Sequence, residues 1–310
     1  MTREALDYNN ILKDCEVGIS SSQVVIKHIT NLENNYEQRE LVSIYNYLLM
    51  NIDDPEVVIA IIKLTDSYRD VSTLAVLLEL LQFKTSVDGD SLIDIRTMCI
   101  KAIANYKDTS TVSVLLDCLN NKNEHYRVRL ACADALGRIG DKYAVMPLLN
   151  VVEDENEKSV YLKESATFAL GLLGDTTAIE PLISILESKQ GFLGKFSFLK
   201  EKIVEALGKL NFNNKKIMKA LKNSLLDSSP MVRINAIEAI MNGESEDAVS
   251  LIKPCLNDEN DEVKKNALIA LYNLTGRDIL DEVIELPIYN DFLKQEAQII
   301  IHEYEDIDGE

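Results

Sequence analysis

An alanine followed by a large aliphatic residue returns along this chain as Ala102-Ile103, Ala135-Leu136, Ala169-Leu170, Ala206-Leu207, Ala239-Ile240 and Ala270-Leu271, at spacings of 33, 34, 37, 33 and 31 residues. Six positions before each alanine stands a basic residue preceded by an aliphatic one: Arg96, Arg129, Lys163, Lys200, Arg233 and Lys264. The fullest echo pairs VRLACADALGRIGDKYAVMPLL (128–149) with LKESATFALGLLGDTTAIEPLI (162–183). A period of this length restricts the chain to architectures in which one supersecondary unit is copied and stacked.

Within a unit, apolar residues recur at helical spacing, as in Val128, Ala131, Ala135, Leu136 and Ile139, which predicts an amphipathic first helix. Gly140-Asp141 and Gly174-Asp175 supply the break: glycine accepts the left-handed conformation that ends a helix, and aspartate accepts from the free N–H groups that start the next. Pro147 and Pro181 then fall early in the second helix, where a missing N–H breaks little of the hydrogen-bond ladder. The predicted unit is helix, tight turn, helix. One such pair cannot bury its apolar face alone, so pairs must stack, and the predicted fold class is all-α, an α-solenoid. The frame predicts an atypical N-terminal helical cap over 1–52, with two helices inside 22–51. Seven repeats follow over 53–276. The first is degenerate, with Ala60-Ile61 in place but Asp54 where the basic residue should stand. A C-terminal cap over 277–310 has a last helix near 290–303 and the acidic tail EYEDIDGE.

These residues resemble HEAT repeats, and more closely the HEAT-like units of phycobilisome lyases, whose consensus runs VRxxAxxALGxIGDxxAxxPLxxxL. The match is clearest over 128–186. Further out, the positions of Gly137, Gly171 and Gly208 are taken by Ala104, Met241 and Tyr272, and the turn aspartate by Phe212, Ser245 and Gly276. Later turns of different shape are therefore expected. The resemblance implies that the basic ladder pairs with acidic turn residues of neighbouring units, and Asp108, Asp141 and Asp175 stand twelve residues after their ladder members. Such exposed pairs contribute about 0.2–1 kcal/mol each. The alternative is a phosphate-binding stripe. The resemblance also implies that the second helices line an inner, concave surface.

On those second helices the positions expected to face away from the core are Ser113 and Asp117, Met146 and Asn150, Glu180 and Ser184, Lys219 and Asn223, then Ser250 and Lys253. The row is mixed and mildly polar. It suits a protein or peptide partner, whereas a DNA groove calls for several Lys or Arg with interleaved aromatics. A second candidate is the longer connection KQGFLGKFSFLKEK (189–202), where Phe192, Phe196 and Phe198 crowd an aromatic-poor chain. Aromatics on an insertion make good binding anchors. In the rival reading, Phe196 or Leu199 opens the next helix and packs inward.

With 51 acidic against 32 basic residues the net charge is -19, which repels phosphate backbones and anionic lipid surfaces. Neither nucleic acid nor membrane is expected as a partner. The five cysteines, Cys15, Cys99, Cys118, Cys132 and Cys255, are widely spread without a CxxC pair, which reads as a reducing compartment. Cys99, Cys118 and Cys132 are expected as core fillers. The N-terminus lacks an apolar signal core, so the cytoplasm is the expected location. His28, His125 and His302 lie in different units, and the sequence holds no P-loop, GxSxG, GxGxxG or HExxH. No catalytic residue, metal site or cofactor is assigned. The functional expectation is a non-enzymatic interaction scaffold or adaptor. The alternatives are a phycobilin-lyase-like subunit acting on a chromophore-carrying protein and, against the charge and the absence of Trp, a HEAT-like DNA glycosylase.

Overall fold

The computed structural model describes residues 7–15, 21–83, 89–188, 197–210, 214–243 and 246–305. Among them the regular structure is helical, with eighteen α-helices and no strand. The chain divides into two compact units, Met1–Pro147 and Leu148–Glu310.

The first unit contains α1 (Tyr8–Asp14), α2 (Ser22–Asn31), α3 (Gln38–Asn51), α4 (Pro55–Thr65), α5 (Val71–Phe83), α6 (Gly89–Tyr106), α7 (Val112–Asn120), α8 (Tyr126–Ile139) and the first residues of α9 (Val145–Glu153). First helices pack in series, α2 on α4, α4 on α6 and α6 on α8. The second helices α3, α5 and α7 pack on the first helix that follows each of them, α4, α6 and α8. The two helices expected within 22–51 are α2 and α3. Helix α1 had no counterpart in the repeat frame. Asp7 caps it by accepting from the Asn10 N–H, and the Tyr8 ring meets Tyr47 at 5.1 Å between centroids. The degenerate first repeat has a local cause. Asp54 is the cap of α4, accepting from the Val57 N–H at 2.9 Å, with Pro55 as the first helical residue. The ladder position thus precedes the helix instead of lying in its first turns.

The second unit contains α10 (Val160–Leu173), α11 (Ile179–Glu187), α12 (Ser197–Lys209), α13 (Lys215–Ser224), α14 (Pro230–Asn242), α15 (Ala248–Ile252), α16 (Asp261–Thr275), α17 (Asp278–Glu285) and α18 (Asp291–Glu305). Here α10 packs on α12, α12 on α14 and α14 on α16. The last helix, expected near 290–303, is α18, and it covers both α16 and α17.

The marker alanines lie in the core. Ala102, Ala135, Ala169, Ala206, Ala239 and Ala270 are all buried, as are the aliphatic residues after them. Each fully buried Leu or Ile contributes about 1.5–3 kcal/mol. The marker glycine makes a close contact: a Cβ on Gly171 would lie 3.1 Å from Ala206 Cα and 3.3 Å from its Cβ. Gly171→Val is therefore expected to destabilise the chain by about 1–3 kcal/mol through overpacking between α10 and α12. Gly171→Ala, which needs only a small shift, should cost less. Urea titration of both variants measures this, and equal stability of Gly171→Val and the parent would rule out the tight approach.

The later turns do differ in shape. Gly140 and Gly174 end α8 and α10 in the left-handed region at φ 86° and 64°, where a Cβ would be strained. Gly243 ends α14 with right-handed helical angles, and Gly276 ends α16 at φ 72°, ψ -152°. The second helix of the sixth unit is short as well. α15 passes at Lys253 into a 3-10 turn, Lys253–Asn257, that contains Pro254, whose ring and missing N–H do not fit a helix interior.

Candidate functional site

The second helices are held by their ends. The last carbonyls of a helix have no partner within it, and the basic ladder supplies donors from the first turns of the next helix. Arg129 Nε donates to the Leu119 carbonyl at 2.8 Å, at the end of α7. Lys163 Nζ donates to the carbonyls of Val152 (2.8 Å) and Asp154 (2.7 Å), at and just beyond the end of α9. Arg233 donates to the Asp227 carbonyl at 2.8 Å and closes a bidentate pair on the Asp258 carboxylate at 2.8 and 2.7 Å.

The polar contacts of the turns and of the ladder extend beyond the expected pairing. Asp108, Asp141 and Asp175 cap the short 3-10 turns that lead into α7, α9 and α11, accepting from the N–H groups of Ser110, Tyr143 and Thr177 at 2.9 Å. Carboxylates meet the ladder from the connections between pairs, Glu124 on Arg96 at 2.6 Å, Asp227 on Lys200 at 2.8 Å and Asp258 on Arg233, and from the first turn of α16, Asp261 on Lys264 at 2.6 Å. The ladder is not uniformly exposed. Arg129, Lys163 and Arg233 are 7%, 1% and 6% exposed. Burial pulls the Lys163 ammonium below its ordinary pKa, against the pull of Asp154, Glu157 and Glu155.

The connections between pairs carry a motif of their own. Asn121, Asp154, Asp227 and Asp258 each accept, through the side chain, from the N–H two residues on, an Asx turn. Its signal was present in the sequence as Asn121-x-Asn123, Asp154-x-Asn156, Asp227-x-Ser229 and Asp258-x-Asn260, six to nine residues before a ladder member.

With their inner faces buried, the second helices leave the expected row outward. Ser113 and Asp117 on α7, Met146 and Asn150 on α9, Glu180 and Ser184 on α11, and Lys219 and Asn223 on α13 are all exposed, as is Ser250, while Lys253 is half-buried. In the second unit α11 packs on α13, which brings Glu180, Ser184, Lys219 and Asn223 onto two neighbouring helices. Lys216 of α13 pairs with Glu180 across them. At the far end of these helices Asn223 lines a hollow of about 480 Å³ together with Ser188, Lys200, Ser224 and Asp227. Burial would raise the Asp227 pKa, but the Lys200 ammonium and the Ser229 N–H more than offset it, and the net shift is downward. Lys200, Ser188 and Asp227 were not among the expected surface residues. Their place follows from the ladder and the connection motif, not from the second-helix pattern.

Of the insertion, Phe192 and Phe196 lie outside the described residues. Phe198 stands in the first turn of α12 and is 64% exposed, while Leu199 beside it is buried, so of the described pair it is Leu199 that packs inward.

The cysteine expectation holds for Cys99 and Cys132, both fully buried, and fails for Cys118, which is only half-buried. Arg96 Nη2 donates to Cys118 Sγ at 3.4 Å. Among the described residues no group of three or more His, Cys, Asp or Glu is placed to hold a metal ion, and no helix is long and apolar enough to cross a membrane.

Comparison with known proteins agrees with the helix pairs. Residues 84–161 and 198–274 match the family described as HEAT repeats, and residues 162–188 match the PBS lyase HEAT-like repeat. No curated protein sequence matches the chain. Among solved structures, a chain of the Kap95p–RanGDP structure is 14% identical with a TM-score of 0.61, the match covering 94% of this chain and 46% of that one. YibA of E. coli is 14% identical with a TM-score of 0.50, covering 96% of this chain and 98% of its own. The CpcE–CpcF complex of phycocyanin lyase from Nostoc sp. is 18% identical with a TM-score of 0.42, covering 93% and 96%. At these identities the likeness is one of fold. The HEAT-repeat matches alone take in half of the chain and fall on the paired helices with their buried marker alanines: the chain belongs to the HEAT-repeat family.

Proposed function

We propose that this chain is a cytoplasmic, non-enzymatic scaffold that binds a partner protein on the outward face of its second helices. The observation that carries the reading is the surface of α11 and α13, where Glu180, Ser184, Lys219 and Asn223 are exposed on adjacent helices beside a hollow of about 480 Å³. Protein interfaces combine a concave or flat core with a polar rim that supplies about one hydrogen bond per 100–200 Å², and this surface offers amide, hydroxyl, ammonium and carboxylate groups within two helices. Exposed Phe198 and Leu226, at 64% and 87%, add apolar area in the same unit, and aromatic anchors of this kind dominate binding energy where they are buried by a partner. Tyr143 and Met146, at 75% and 60%, do the same on the first. The net charge of -19 favours a partner with a basic surface, because complementary charge speeds encounter.

The test is affinity capture from the native host followed by mass spectrometry, comparing the parent with a Ser184→Arg, Asn223→Arg double variant. Both positions are exposed, so the variant is expected to melt within a few degrees of the parent. Recovery of a partner at comparable amount with the parent, and its loss with the variant, supports the reading. Equal recovery with both moves the interface elsewhere. A visible-absorbance change on mixing with a bilin would replace this reading with the phycobilin-lyase-like one.

A further inference from the structure

We propose that Cys118 and Cys132, with Arg96 beside them, form a peroxide-sensitive dithiol in which Cys118 is oxidised first and then closes a disulfide to Cys132. The two cysteines stand on packed neighbours, Cys118 near the end of α7 and Cys132 in the middle of α8. Their side chains are hydrogen-bonded, the Cys132 thiol donating to Cys118 Sγ. Arg96, from α6, donates through Nη2 to the same sulfur at 3.4 Å while its Nη1 is held by Glu124 at 2.6 Å. Two donors, one of them cationic, therefore converge on one sulfur. Cys118 is half-buried, the more accessible residue of the two, whereas Cys132 is not exposed at all.

A thiolate, not a thiol, is the nucleophile, and these contacts favour it. The hydrogen bond from Cys132 lowers the Cys118 pKa below its ordinary value, burial opposes this, Arg96 reinforces it and Glu124 works against it. Cys132 moves the other way, raised first by burial and then by its hydrogen bond to Cys118. Two other cysteines, Cys15 and Cys255, serve as internal controls. Cys15 and Cys255 are each pushed up to about 11 by burial, with a smaller push from Asp14 and Asp258 respectively.

The chemistry balances with a peroxide as the oxidant. The Cys118 thiolate attacks one peroxide oxygen, the O–O bond breaks, and hydroxide leaves and is protonated to water, giving Cys118 sulfenic acid. The Cys132 sulfur then attacks Cys118 Sγ, the S–O bond breaks, and the departing hydroxide takes up the Cys132 proton as a second water. Two thiols and one hydrogen peroxide become one disulfide and two waters. Because the attacking sulfur is already in hydrogen-bonding contact, resolution should outrun further oxidation of the sulfenic acid.

The experiment treats the full chain with stoichiometric hydrogen peroxide, blocks remaining thiols with iodoacetamide and maps peptides by mass spectrometry. The expected product is a Cys118–Cys132 cross-linked peptide lighter by two hydrogens, with Cys15 and Cys255 still reduced. Without peroxide, iodoacetamide at neutral pH should label Cys118 about ten-fold or more faster than Cys15 or Cys255, a difference set by thiolate fraction and tempered by lower nucleophilicity. Arg96→Gln should slow that labelling. Cys132→Ser should leave Cys118 as a sulfenic acid that dimedone traps. If that variant does not fold, the mapping of the parent chain decides alone. A parent chain that stays reduced while its melting point is unchanged, or one that cross-links a different pair, overturns the proposal. Labelling of Cys118 no faster than that of Cys15 overturns it equally.

Discussion

Arg233→Ala is expected to lower the unfolding free energy of this chain by about 3–5 kcal/mol. The guanidinium is 6% exposed and spends its donors on one carboxylate and on backbone carbonyls: the Asp258 pair at 2.8 and 2.7 Å and the Asp227 carbonyl at 2.8 Å. Truncation leaves Asp258, itself largely buried at 12% side-chain exposure, without its counter-charge, and takes a donor from the Asp227 carbonyl in the connection after α13. Removing one member of a buried pair costs far more than the pair is worth against an apolar replacement, so Arg233→Met, which keeps the stem packed, should still be destabilised. Urea unfolding followed by circular dichroism measures the change. A loss under about 1 kcal/mol, the range of exposed pairs, would show that Arg233 behaves as a surface residue.

Lys163→Met is expected to cost about 2–4 kcal/mol, because the buried Val152 carbonyl loses a donor at a penalty of about 1–3 kcal/mol and the part-buried Asp154 carbonyl, which water can reach, adds about 1 kcal/mol. The methionine retains the buried stem, so the loss reports the ammonium and not a cavity. Lys163→Arg should lie within about 1 kcal/mol of the parent, since arginine fills the same repeat position at Arg129 and Arg233 and donates to the same kind of carbonyl. Thermal melts of the two variants side by side give the comparison. If Lys163→Arg is as damaged as Lys163→Met, the position recognises the lysine's length and not its donors.

The repeat frame was legible because its signals are local and recur. Alanine at a helix contact, glycine at a left-handed end and a short polar cap each act within a few residues, and six copies average out the exceptions. The frame correctly put Ala206 at a close approach, the break at Gly174 and the individual positions Ser113, Glu180 and Asn223 at exposed places on their helices. What escaped it depends on where a long side chain ends. Arg129 or Lys163 can reach a carboxylate ahead of it or a carbonyl behind it, and spacing alone does not choose between them. Burial chooses: a cation taken from solvent must satisfy several donors at once, and a helix end offers free carbonyls in one place. Cys118 escaped for the same reason. The sequence places it at a core position of α7, while its exposure and its arginine come from α6 and α8. Helix α1 lies outside the period and has no repeat to announce it.

The helix-end bonds have a kinetic side. Arg129 reaches a carbonyl ten residues back, Lys163 ones nine and eleven back, and Arg233 one six back. Closing such loops takes on the order of 10–100 ns for about ten residues, and their entropy cost is small. These carbonyl bonds span a third of a repeat or less, and short spans lower contact order and favour fast folding. At Arg129 and Lys163 a nascent chain can fasten the new helix to the one before as soon as both have emerged, whereas Arg233 completes its pair only once Asp258 has followed.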